Sequence, residues 1–342
     1  MSALESSNAG VPPPTRASDV FVPRRGLRGG HIQTLAGHFL PRRNLLPEPE
    51  RRFFTVADGV QVRCDCHWQK DRALTVVIVH GLEGSSESTY VIGTGSKAWL
   101  AGMNVVRMNV RNCGGTERLA PTLYHSGLSG DVGAVVNELI SRDHLPQIAI
   151  AGFSMGGNQV LKLAGEWGSA APREVKAFAA ICPGMDLAAS AAELHRWSNR
   201  IYEWRFLWSL WRSMGRKARL FPEVFQQPEL RAMRSLRDFD NEVTARYCGF
   251  AGADDYYRRA SSSPLVPRIA VPTLVIHAQD DPFVRILPES RAALAANPQV
   301  RFIETEHGGH CAFVGEDSGS DGRWAERRII EFFREITASG RG

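Results

Sequence analysis

From residue 73 onward, runs of strand-forming residues alternate with segments of helical period, and this alternation constrains the fold more than any other feature of the chain. "ALTVVIVHG" (73–81), "MNVVRMNV" (103–110), "QIAIAGF" (147–153), "EVKAFAAIC" (174–182), "VPTLVIHA" (271–278) and "QVRFIETE" (299–306) read as strands. Several are apolar almost without a break, as expected of strands covered on both faces. Between them, 88–102, 129–142, 157–167, 287–297 and 322–336 read as helices. The clearest is 129–142, with Val132, Val135, Val136, Leu139 and Ile140 on one face and Ser129 or Asp131 near its start as a cap. Such an order implies βαβ units, right-handed crossovers and a mostly parallel sheet flanked by helices.

The rhythm breaks over 185–265. There "LHRWSNRIYEWRFLWSLWRSMGRKARL" (194–220) sets Leu194, Trp197, Ile201, Trp204, Trp208 and Trp211 on one stripe and holds four of the eight tryptophans. An insertion of this size late in an open sheet is expected to form a helical cap over the carboxyl edge, where ligands of such sheets bind. The stripe has two uses: packing against neighbouring cap helices, or lining an acyl pocket and touching a lipid surface. In the second, Arg205, Arg212, Arg216, Lys217 and Arg219 would lie near headgroups.

The full expectation is a disordered tail over 1–20, an N-terminal arm packed on the body over 21–60, a core from 61–184 and 266–340, and the cap between. A chain of 342 residues, 43% apolar, is long enough to bury such a core. The tail, "MSALESSNAGVPPPTRASDV", has no apolar targeting segment, and no stretch reaches the roughly 18 apolar residues of a membrane span. A cytoplasmic protein is expected, with membrane contact at most peripheral and made through the cap. Lys+Arg 41 against Asp+Glu 36 gives a formal charge of +5 without long basic runs, which argues against nucleic acid as a partner. The cysteines, at 64, 66, 113, 182, 248 and 311, lack metal-site clustering and read as reduced thiols.

"AGFSMGGN" (151–158) carries the chemistry. Gly152-Phe153-Ser154-Met155-Gly156 is a G-x-S-x-G sequence placed directly between a strand and a helix, the context of a nucleophile elbow. The corner lifts the serine hydroxyl above the sheet and points the next N–H, that of Met155, into the same space. A serine needs a base, and the base needs an orienting acid. "VIHAQDDPFV" (275–284) offers Asp281, with Asp280 as the alternative, just after a late strand. "EHGGHCAF" (306–313) offers His310, favoured over His307 because the glycine pair lets its loop reach back. "HGLEGSSES" (80–88) should supply the second oxyanion donor, the N–H of Leu82. His80 has no second ligand beside it, so neither a metal nor a cofactor is expected.

Taken together, "GGHIQTL" (29–35), "HGLEGSSESTY" (80–90), "RNCGGTE" (111–117), "YHSG" (124–127), "GFSMGGN" (152–158), "DDPF" (280–283) and "GGHCAF" (308–313) resemble the YheT-like branch of the α/β-hydrolase superfamily. The resemblance spans about residues 20–340, departing at Met155, where leucine is usual, and at Ala312, where glycine is usual. It implies an α/β-hydrolase fold and a serine hydrolase cleaving carboxylic esters, small or lipid, with Ser154, one of the two aspartates and His310 at the charge-relay positions. The aromatic cap suggests a medium or long acyl group. An acyltransferase using the same residues, or a non-catalytic lipid- or ligand-binding protein on the same scaffold, are the alternatives. His31 and His38 in the arm and His125 in "YHSG" read as structural.

Overall fold

A computed structural model describes residues 20–70, 73–229, 232–316 and 321–339. All but Val20 of the tail expected over 1–20 therefore lies outside the described residues. Eight strands form one sheet: β1 (Glu50–Ala57), β2 (Val60–His67), β3 (Thr75–Val79), β4 (Asn104–Met108), β5 (Ile148–Phe153), β6 (Val175–Ile181), β7 (Thr273–Ala278) and β8 (Val300–Thr305). Their spatial order is β1-β2-β4-β3-β5-β6-β7-β8. From β4 to β8 all neighbours are parallel, whereas β2 runs antiparallel to both β1 and β4. Strand β1 falls within 21–60, so this segment enters the sheet instead of only packing on the body. On β1 a single residue, Phe54, is buried, the pattern of an edge strand facing solvent.

The central strands β3, β5 and β7 are buried along their whole length. Two layers of apolar side chains result. One lies between the sheet and helices α3 (Ser129–Ser141), α4 (Met155–Trp167) and α10 (Pro288–Ala296), with Val132, Val136, Leu139, Val160 and Leu161 at its centre. The other lies against α2 (Thr89–Leu100) and α11 (Trp324–Ser339), around Val76, Ile78, Ala149, Phe313 and Phe333. Burying a leucine or valine side chain in such a layer contributes about 1.5–3 kcal/mol.

A short helix, α1 (Gly30–Phe39), precedes β1. Between β6 and β7 come α5 (Leu187–Leu194), α6 (Arg200–Leu220), α7 (Leu236–Phe239) and, after a π-helical turn over 240–245, α8 (Arg246–Cys248) and α9 (Ala253–Ala260). The inner face of α6 packs Leu207, Leu210 and Met214 against Phe225, Phe239 and Val243. That face is displaced from the expected tryptophan stripe. Leu194 is buried and Trp211 half-buried, with its indole N–H donating to the Pro228 carbonyl at 3.0 Å, but Trp197, Ile201, Trp204 and Trp208 point to solvent. The stripe therefore does not serve as the packing face.

Lys217 is likewise buried. Its ammonium donates to Asn112 Oδ1 and the Glu117 carbonyl, both at 2.8 Å, and to the Ala120 carbonyl. Burial lowers its pKa to about 8. Arg216 pairs with Glu117 at 2.7 Å, so neither side chain is free for a headgroup. Among the described residues no helix is long and apolar enough to cross a membrane.

Candidate active site

Strand β5 ends at Phe153 and α4 begins at Met155, so Ser154 alone makes the corner. Its φ of 54° and ψ of −118° place it in a region that a non-glycine residue rarely adopts, and the neighbours hold it there. A Cβ on Gly152 would sit 2.2 Å from the Gly156 carbonyl oxygen, and one on Gly156 would sit 2.4 Å from that of His80. Only glycine lets strand, corner and helix approach so closely.

Three side chains then form a row. His310 Nε2 lies 2.9 Å from Ser154 Oγ, and its Nδ1 lies 2.8 Å from Asp281 Oδ2. Asp281 is fully buried, and its Oδ1 accepts from the backbone N–H groups of Phe283 (3.1 Å) and Val284 (2.9 Å). Burial pushes its carboxyl up, but the charge and hydrogen bond of His310 outweigh burial and hold it below the ordinary value. For His310 burial pushes the imidazole down, and the Asp281 carboxylate overrides it, raising the pKa well above the ordinary value. The Phe283 ring packs on His310 with centroids 4.3 Å apart and covers the pair.

The alternative residues are engaged elsewhere. Asp280 accepts from the Gly309 N–H at 2.8 Å and faces His307 Nδ1 at 3.3 Å, which ties down the loop that carries His310. His80 is buried, with Nδ1 2.7 Å from the Gly81 carbonyl and Nε2 accepting from the Val110 N–H at 3.1 Å. Burial lowers its pKa to about 4, so it stays neutral and braces the loop after β3. His125, also lowered to about 4 by burial, accepts from the Gly127 N–H at 3.1 Å.

The loop after β3 closes on Ser154: a Cβ on Gly81 would lie 3.1 Å from Ser154 Cβ. Among the described residues, the backbone N–H groups of Leu82 and Met155 have no protein partner, although both residues line the same cavity as Ser154. That cavity, about 160 Å³, is mostly apolar, with Leu187, Leu194, Phe206, Leu210, Phe239 and Phe283 among its walls. Glu83 fixes one side of it, accepting from Tyr124 (2.6 Å), Ser209 (2.8 Å) and Ser213 (2.6 Å) and so linking the loop after β3 to α6.

Two features escaped the sequence reading. The first is helix α1. Thr34 Oγ1 accepts the backbone N–H of His310 at 2.9 Å and donates to the Gly30 carbonyl at 2.7 Å. Gln33 clasps Val314, accepting its N–H at 2.8 Å and donating to its carbonyl at 3.1 Å. Gly30 packs so tightly that a Cβ there would lie 1.7 Å from the Asp280 carbonyl oxygen. "GGHIQTL" was the visible signal, but its partners lie far along the chain.

The second is a thiol pair. Cys311 Sγ lies 3.8 Å from His310 Nε2, and the Cys311 N–H donates to Cys182 Sγ at 3.3 Å. Burial pushes the Cys311 thiol up, but its hydrogen bond with Cys182 and the charge of His310 bring it down to about 6. All six cysteines are free. Cys182, His310 and Cys311 bring possible metal-ligand atoms within 4.8 Å of one another, as do Cys182, His277 and Asp281. Both sets would draw on side chains already bonded in the row.

The family model of the alpha/beta hydrolase fold matches residues 75–317. YheT of Escherichia coli (strain K12) is 33% identical over 326 residues, covering 92% of this chain and 93% of that protein. The medium-chain fatty acid ethyl ester synthase/esterase 2 of Saccharomyces cerevisiae is 29% identical over 286 residues, 76% of this chain and 62% of its own length. The solved esterase Pf2001 of Pyrococcus furiosus superposes with a TM-score of 0.56 at 17% identity, covering 84% of this chain and 93% of that one.

Proposed function

This chain belongs to the alpha/beta hydrolase family, and from that premise we propose that it is a serine esterase acting on carboxylic esters. The observation that carries the reading is the Ser154–His310–Asp281 row, with spacings of 2.9 and 2.8 Å, at the wall of an apolar cavity.

In this reading Ser154 Oγ adds to the ester carbonyl while His310 Nε2 takes the hydroxyl proton. Asp281 holds the Nδ1–H and stabilises the imidazolium. The oxyanion that develops is received by the N–H groups of Leu82 and Met155, a donor of this kind being worth about 2.7–4 kcal/mol. His310 then protonates the departing alcohol, leaving an acyl group on Ser154. Water gives a proton to His310 and attacks the acyl-enzyme; the acid departs and the serine regains its proton. Residues 185–265 act as a cap whose apolar wall takes a medium or long acyl chain.

Labelling with a fluorophosphonate probe tests the reading directly. Labelling of the wild type that disappears in Ser154→Ala supports it. Equal labelling of the variant, or undiminished ester turnover by it, overturns it. A panel of p-nitrophenyl esters of rising chain length then tests the acyl preference, which fails if acetate is the best substrate.

Acyl transfer to an alcohol is a second reading, favoured by the yeast relative whose name joins synthase and esterase. The ratio of transfer product to free acid, measured with an alcohol acceptor present, separates the two.

A further inference from the structure

Helix α6 is apolar on two faces. The inner one, Leu207, Leu210 and Met214, is buried. The outer one exposes Ile201 by 84%, with Trp204 and Trp208 half out of the protein, and Trp197, in the 3-10 turn that leads into the helix, is 92% exposed. Helix α1 lies alongside: His31 stacks on Tyr202 with Nδ1 3.2 Å from its hydroxyl, and Arg205 donates to His38 Nε2 at 3.2 Å. It too shows apolar side chains to solvent: Ile32, Leu35 and Phe39, the last 68% exposed. Seven large apolar side chains on two adjoining helices and the turn leading into one of them exceed the scattered exposure normal for a soluble surface.

The charge around them decides what they meet. Residues 20–47 hold five arginines and no acid, and 200–220 hold six basic side chains and one glutamate. Lys217, Arg216 and Arg42 are tied to the protein body, but the other side chains of these two segments still carry a formal +7, against +5 for the chain as a whole. The one glutamate, Glu203, is buried and paired with Arg200 and His195. Arg205 and Arg212 are exposed on the tryptophan face itself, Arg212 lying 4.6 Å over the Trp208 ring.

We propose that this face, formed by α1 and the outer side of α6, docks the protein onto an anionic lipid surface. Tryptophan and arginine side by side suit the headgroup region, the indoles entering the boundary with the acyl chains while the guanidinium groups meet phosphates. A second copy of this chain is a poor occupant, because a two-fold contact would set one basic face against the other. The inference concerns attachment and stands apart from the ester chemistry.

Co-sedimentation of the full chain with vesicles of phosphatidylcholine, with and without phosphatidylglycerol, tests it. The wild type should bind the anionic vesicles roughly tenfold more tightly than the neutral ones, and about 0.5 M salt should remove most of the difference. Trp197→Ser with Trp204→Ser, and separately Arg205→Glu with Arg212→Glu, should each weaken binding roughly tenfold while turnover of a soluble p-nitrophenyl ester stays at the wild-type level. No binding to anionic vesicles, or binding unaltered in both variants, overturns the proposal. So does a dimer seen by light scattering that the tryptophan variant dissolves while vesicles remain unbound.

Discussion

Asp281 and His310 meet at 2.8 Å through a carboxylate that no solvent reaches, while Asp280, next in the chain, turns away to the Gly309 N–H and His307. The two aspartates should therefore fail differently. Asp281→Asn removes the partner of Nδ1–H and should lower kcat by about 10⁴-fold with little change in melting temperature. Asp280→Asn should cost about 1 kcal/mol of stability through the looser loop and less than about tenfold in kcat. Steady-state kinetics and thermal melts on the pair decide it; the reverse pattern would transfer the role to Asp280.

The pH profile carries a definite sign. In the proposed mechanism His310 serves as a base only when neutral, and Asp281 raises its pKa, so the acid limb of kcat/KM should lie above the ordinary histidine value of about 6.5. The Cys311 thiol, brought down to about 6, adds a second negative neighbour. Cys311→Ala should therefore move that limb to lower pH, and a limb that stays put or rises would contradict the assignment.

At the corner of the elbow, shape and chemistry can be separated. Gly156→Ala drives a methyl to 2.4 Å from the His80 carbonyl oxygen and should destabilise the protein by about 1–3 kcal/mol, read as a fall in the denaturation midpoint. Ser154→Gly removes the proposed nucleophile but relieves a residue held at a φ of 54°. It should be inactive, and as stable as the wild type or more so by up to about 1 kcal/mol.

Away from the site, Arg111 and Asp131 form a buried bidentate pair at 2.5 and 2.6 Å, anchoring the loop on which Lys217 docks α6. Asp131→Ala strands a buried guanidinium and should cost about 3–5 kcal/mol in chemical denaturation. Replacing both partners by leucine should cost clearly less than removing one.

How far the sequence speaks depends on the range of the contact. Strands β3, β5 and β7 are legible because burial on both faces writes an unbroken apolar run, and Ser154 and Asp281 stand out because each follows such a strand; His310 follows the half-exposed β8 and is marked instead by the glycine pair before it. The β1–β2 hairpin is obscured: β1 faces water and reads Glu50-Arg51-Arg52 at its start, like an arm. The tryptophan stripe shows a period but not a direction, since helical spacing is the same whether a face meets protein or solvent. "GGHIQTL" stands out as a motif, but what Thr34 and Gln33 do is not legible from it, because their partners, His310 and Val314, lie 276 and 281 residues away.

That long reach sets where the chain can be cut. A version beginning at Glu50 would keep all eight strands and the whole Ser154–His310–Asp281 row, and on a diagram of the sheet it would look intact. It would nonetheless leave the His310 amide without its Thr34 acceptor, the Val314 backbone without Gln33, and the Asp280 carbonyl facing a gap where Gly30 had been. The smallest piece able to keep its histidine in place is thus longer than the smallest piece able to form its sheet, and the difference is a single ten-residue helix near the opposite end of the chain.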